Sequence, residues 1–216
     1  PQYVTGFRLN YELYPSGLPF PQRSYYPLDY DAGNIIADMG MLDIVFCLDT
    51  SGSMADDVDT MKREVNSILQ AIDREAGIQG IDLRVGVVAF SRNDEGNTFD
   101  TRPLTHDFIQ VQDAVGNIQS GTVTGDEDLY AAMMYGMNET VDGQSIDMGW
   151  RPGAAKVCVP ITDEPPKEDV FTLGQVSRVA FDLDPVHVYP LILPKQGPRW
   201  LDSTVRAMEA LADETD

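Results

Sequence analysis

The run Leu42-Asp43-Ile44-Val45-Phe46-Cys47-Leu48, followed at once by Asp49-Thr50-Ser51-Gly52-Ser53, decides how this chain is read. The first part is a short apolar stretch rich in β-formers and reads as a buried strand. Beyond it Val58, Met61, Val65, Ile68, Leu69 and Ile72 recur at helical spacing, which predicts an amphipathic helix over residues 55–76. An acid and two hydroxyls, spaced by two, therefore stand where a strand hands over to a helix. In extended chain the spacing i, i+2, i+4 lets all three side chains point one way. Carboxylate and hydroxyl oxygens are hard donors, suited to Mg²⁺, Ca²⁺ or Mn²⁺ rather than to soft metals.

Outward from this stretch, strands and helices alternate. Gly77 and Gly80 end the first helix. Residues 83–91, 155–161 and 186–193 read as strands, and residues 107–118, 127–138, 170–181 and 201–212 as helices. The turn at residues 93–97 leads into a short antiparallel edge strand at 98–104, where Pro103 is tolerated because an edge needs no donor there. Such alternation implies a parallel sheet covered on both faces. Right-handed crossovers then favour a doubly wound α/β sheet. Ligands of such sheets bind at strand carboxyl ends, and Asp49 and Asp163 both fall at such ends.

Residues 1–40 differ from the rest. Tyr3, Phe7, Tyr11, Tyr14, Pro15, Pro19, Phe20, Pro21, Tyr25, Tyr26 and Pro27 mark an aromatic, proline-rich arm or lead-in from a neighbouring domain. Within it, residues 4–14 alternate as a strand would. Residues 41–216 form the main domain. No initiator Met or signal peptide opens the chain, and its end at Asp216 is abrupt, so a larger parent protein is expected.

Thirty-five acids against fifteen bases give a net charge of −20. That surface repels nucleic acid and anionic lipid and attracts cations. No run is long and apolar enough for direct membrane insertion. Cys47 and Cys158 lie in apolar runs and read as free, buried thiols. Cys47 is two residues before Asp49 and Cys158 five before Asp163, which places the thiols on opposite sheet faces if the two acids are level. His106 and His187 lack zinc-ligand spacing and read as structural. Gly52-Ser53 lacks the Gly-x-Ser-x-Gly frame of a nucleophile elbow, and no Gly-rich phosphate loop with Lys occurs, so no enzyme active site is expected. Trp150 and Tyr130 are candidate rim contacts; Tyr135 reads as core.

Asp49, Ser51 and Ser53, followed much later by Asp163 after an apolar strand, resemble the von Willebrand factor A family and its metal-ion-dependent adhesion site. The resemblance covers residue 41 to the end. It implies a six-stranded, mostly parallel sheet of order 3-2-1-4-5-6 with an antiparallel edge strand and helices on both faces. It also implies that Asp49, Ser51, Ser53 and Asp163 hold a divalent cation, Mg²⁺ first, with Ca²⁺ or Mn²⁺ as alternatives. Many relatives place a Thr in a second loop. Aligning the helix by Leu129 and Ala132 puts Glu127 there, as in integrin β subunits, with Thr124 and Asp126 as competing candidates.

Ser53-Met54-Ala55-Asp56-Asp57 is also similar to the integrin β pattern that builds an adjacent metal site. Acids in a first helical turn stabilise the dipole by about 0.3–1 kcal/mol without any metal, and that role competes for Asp56 and Asp57. Helix capping competes for Ser53. The family's mechanism implies a non-enzymatic adhesion or protein-interaction module, extracellular or on a cell surface. Its ion would bridge to an acidic side chain of a protein partner. The alternative is a cytoplasmic subunit of an ATPase-linked or metal-chelatase-type complex.

Overall fold

A computed structural model describes residues 40–54, 58–93, 96–119, 128–168, 170–193 and 198–215. The aromatic arm, Asp56, Asp57, Thr124, Asp126 and Glu127 lie outside the described residues.

The strand predicted from the opening run is β1 (Met41–Asp49), buried from Leu42 onward. It lies in the centre of the sheet, parallel to β2 (Asp82–Asn93) on one side and β4 (Ala155–Thr162) on the other. β3 (Gly96–Thr105) is the antiparallel edge beside β2. The register of that pair shifts between Val85 and Val87, opposite Pro103, which has no N–H to offer the ladder. β5 (Val186–Val188) pairs with β4, giving the order β3-β2-β1-β4-β5.

The doubly wound architecture is as expected, with one difference at its far side. The stretch read as one strand over residues 186–193 is broken at Tyr189-Pro190. Its second part, β6 (Leu191–Ile192), pairs with β4 rather than lying outside β5. Pro190 lacks a backbone donor, which is a physical reason for the break.

β1 alternates between two cores. Ile44, Phe46 and Leu48 face α1 (Val58–Gln79) and α2 (Phe108–Asn117), meeting Met61, Val65, Leu69, Val111 and Val115. Val45 and Cys47 face α3 (Leu129–Gly136), α4 (Leu173–Asp182) and α5 (Pro198–Glu214), among them Met133, Val176 and Leu211. α1 ends where Gly80 takes φ +69° and the Ile81 N–H returns to the Ala76 carbonyl at 2.9 Å.

The cysteines correct the sequence expectation. Both are free and buried, but they share one face, with Sγ atoms 3.7 Å apart. Leu48 is level with Ile161, and Val45 with Cys158. Asp163 is thus one residue beyond the level of Asp49, and the parity argument that assumed level acids fails. The Cys158 side chain and burial together push the Cys47 thiol well up.

At the pole where parallel strands begin, Asp43 is fully buried. It accepts both arms of Arg84 at 3.0 and 2.8 Å, and the Arg151 backbone and Nε at 2.8 and 2.9 Å. Burial pushes the Asp43 carboxyl up, but the two guanidinium groups outweigh it and hold it below the usual range. Among the described residues, no helix is long and apolar enough to cross a membrane.

Candidate metal centre

The site lies at the carboxyl ends of β1 and β4. From β1 the chain crosses to β2 on one side, while β4 lies on the other, so the strand order reverses at this crevice. Asp49 is the last residue of β1 and fully buried. Thr50 anchors the following loop to β2, its N–H and hydroxyl both donating to the Phe90 carbonyl at 2.9 and 2.8 Å. The Ser51 N–H folds back to Asp49 Oδ1 at 3.0 Å. A single 3₁₀ turn at Gly52–Met54 follows, its Met54 N–H bonding the Ser51 carbonyl at 3.1 Å.

These contacts bring hydroxyls and acids from two loops together. Ser51 Oγ and Ser53 Oγ are 2.9 Å apart, and Ser53 Oγ donates to Asp163 Oδ1 at 3.2 Å. Asp163 itself is buried directly after β4. The Thr162 hydroxyl donates to Asp49 Oδ2 at 2.8 Å. Four residues expected from sequence, Asp49, Ser51, Ser53 and Asp163, thus converge. The second-loop candidates Glu127, Thr124 and Asp126 lie outside the described residues, as do Asp56 and Asp57. Asp128, which follows Glu127 in the chain, caps α3 by accepting the Ala131 N–H at 3.0 Å.

The electrostatics fit a cation. Burial pushes the Asp49 carboxyl up from 3.8 to about 6. Hydrogen bonds from Ser51 and Thr162 offset that only in part, and the nearby Asp163 charge pushes it further. A buried carboxylate facing a second one is costly unless a positive charge joins them. The oxygen-only donor set suits a hard divalent ion. Among the described residues no three His, Cys, Asp or Glu side chains cluster, so no soft thiolate–imidazole cage forms there.

Other expected residues fall elsewhere. Trp150 is not a rim contact: its Nε1 donates to the Gly136 carbonyl at 2.9 Å, at the end of α3 away from the site. Tyr130 is buried in the α3 core, and Tyr135 stacks on Phe99 with ring centroids 4.1 Å apart. His106 bonds Asp82 at 2.7 Å, at the strand-start pole. Sequence reading missed Thr162 and Thr50. Their roles depend on which strand lies beside which, and on register, and a single stretch of sequence carries neither.

The family model for the von Willebrand factor type A domain matches residues 43–188, and the chain belongs to that family. A search of curated proteins finds no match. Among solved structures, proximal thread matrix protein 1 from the mussel byssus is similar in fold, with TM-score 0.57 and 13% identity. The match covers 82% of this chain and 40% of that one. A second structure of that protein, with a zinc-occupied MIDAS motif, gives TM-score 0.59 at 14% identity over 82% of this chain and 40% of that one. The pilus adhesin SpaC from Lactobacillus rhamnosus GG, in an open conformation, gives TM-score 0.56 at 16% identity, covering 80% of this chain and 26% of that one. An aerotolerance-related membrane protein from Bacteroides fragilis gives TM-score 0.56 at 17% identity, covering 81% and 88%. The chain therefore spans well under half of the byssal protein and of the adhesin.

Proposed function

We propose that this chain is a metal-dependent adhesion or protein-interaction module without enzymatic activity, acting outside the cell or at its surface. The convergence of Asp49, Ser51, Ser53 and Asp163 from two loops at the sheet's switch point carries the reading. Asp49 and Asp163 supply charge, and the Ser51 and Ser53 hydroxyls supply neutral ligands. Glu127 completes the set from the second loop, with Thr124 and Asp126 as its competitors. The donor set favours Mg²⁺, with Ca²⁺ or Mn²⁺ as alternatives.

A divalent ion held there supplies an open coordination position for a carboxylate of a partner protein. The bridge matters because the chain's net charge of −20 repels an acidic partner, and the ion offsets that repulsion locally. The matrix protein and pilus adhesin among the structural neighbours support the extracellular setting.

Calorimetric titration of Mg²⁺, Ca²⁺ and Mn²⁺ into the metal-stripped chain tests the reading, with Asp49→Ala alongside. Saturable uptake of one ion that vanishes in the variant is the expected result. A second binding event would bring in Asp56 and Asp57. No uptake, or uptake indifferent to the variant, would overturn the site and the adhesion reading together.

A further inference from the structure

We propose that Thr162 is a positioning residue of the cation site: its hydroxyl orients the Asp49 carboxylate and thereby sets ion affinity, without touching the ion. The inference rests on the proposed cation site and deepens it.

The register creates the contact. Leu48 is level with Ile161 in the parallel β1–β4 pair, so Asp49 and Thr162 occupy the next level. Side chains alternate along both strands, and Cys47 and Cys158 already meet on one face. Two residues beyond Cys47 and four beyond Cys158, Asp49 and Thr162 share that face. Both are buried, so solvent does not supply what either lacks.

The hydroxyl's bonds are fully specified. Thr162 Oγ1 accepts the Glu164 N–H at 3.2 Å. It has one proton to give. The Glu164 carbonyl stands at 3.2 Å, but Asp49 Oδ2 stands at 2.8 Å and is charged. The shorter, charge-assisted bond takes the proton. Meanwhile Asp49 Oδ1 takes the Ser51 N–H at 3.0 Å.

Each carboxylate oxygen is therefore held by a different piece of chain, one by its own loop and one by the neighbouring strand. Two such restraints fix the carboxylate plane; one alone leaves it free to turn. Thr162 is also β-branched, which keeps its χ1 stiff, and it directly precedes Asp163. One hydroxyl thus couples the two acid-bearing loops. Losing an outer partner of a metal ligand commonly weakens metal affinity by about 10–100-fold.

The test titrates Mg²⁺, and separately Mn²⁺, into the metal-stripped full chain. Thr162→Val keeps the shape and removes the hydroxyl, and should weaken binding by about 10–100-fold. Thr162→Ser restores the hydroxyl and should bind close to the parent. Circular dichroism of the metal-free proteins checks that each variant is folded. If Thr162→Val does not fold, Thr162→Ala takes its place beside Thr162→Ser.

A hydroxyl-free variant that binds as tightly as the parent overturns the proposal. So does a Ser variant as weak as Val, which would make the methyl's packing the cause. A parent that takes up no ion overturns the cation site itself, and with it this inference. A parent that binds while Thr162→Val is unchanged overturns only the role of Thr162.

Discussion

Asp49→Asn removes a charge that the fold holds out of water, and its effect on stability should depend on pH. Burial raises the Asp49 carboxyl to about 6 in the folded chain. In the unfolded chain it titrates near its ordinary value of about 3.9. Between those values the folded state holds the proton more tightly than the unfolded one. The contribution of Asp49 to stability is therefore intact below about pH 4 and is lost as pH rises through about 6. Two units at about 1.4 kcal/mol each make that loss about 3 kcal/mol.

Asn does not titrate, but its single amide oxygen replaces two carboxylate oxygens. One of the bonds from Ser51 N–H and Thr162 hydroxyl is then weakened, at about 1 kcal/mol. The metal-free variant should thus be about 2 kcal/mol more stable than the parent at pH 7.5, and should lose that advantage by pH 4.5. For a chain of this size, the gap is about 4–8 °C in Tm. Mg²⁺ at a hundred times its Kd should add about 2.7 kcal/mol to the parent alone and close the gap. Thermal melts by near-ultraviolet circular dichroism, in chelator and in Mg²⁺ from pH 4.5 to 7.5, read this directly. A gap that stays flat across pH, or Mg²⁺ stabilising both proteins equally, would refute the reasoning.

Ser53→Ala removes the hydroxyl between Ser51 and Asp163; it should weaken ion binding in calorimetry while moving the metal-free Tm little, since Ser53 is only part-buried. Asp43→Asn strips the fully buried charge from between Arg84 and Arg151, and urea unfolding should show a loss of about 3–5 kcal/mol. Because that carboxyl's folded pKa is depressed, its contribution is present above the unfolded value and fades as pH falls through the folded one, so the penalty should shrink in acid. Cys47 and Cys158 are buried, with the Cys47 thiol pushed up, so neither should react with a thiol reagent at pH 8 until the chain is unfolded, when both should react.

Much of the architecture was legible because the relevant signals are local. The run over residues 42–48, apolar except for Asp43 and bounded by Asp49, reads as a buried strand, and Pro103 belongs at an edge because it cannot donate. The grouping of Asp49, Ser51 and Ser53 follows from spacing within one loop, and Asp163 from the family resemblance, which expects an acid just after that apolar strand. Glu127 and its rivals Thr124 and Asp126 were harder to read. Their loop carries several oxygen side chains, and no periodicity there selects one.

The sequence by itself determined where most of the strands run, which of their ends carry acids, and that the Ser51 and Ser53 hydroxyls follow Asp49 within one loop. Only the tertiary structure decided the register between β1 and β4. That one-residue offset puts Thr162, not Asp163, level with Asp49 and brings Cys47 beside Cys158. It likewise decided that the last stretch breaks at Pro190, and that Asp43, inside an apolar strand, is matched by Arg84 and by Arg151 from a distant loop. The reason is physical: alternation fixes where a side chain points within its own strand. The level at which two strands meet is set by how all the side chains of both cores pack at once.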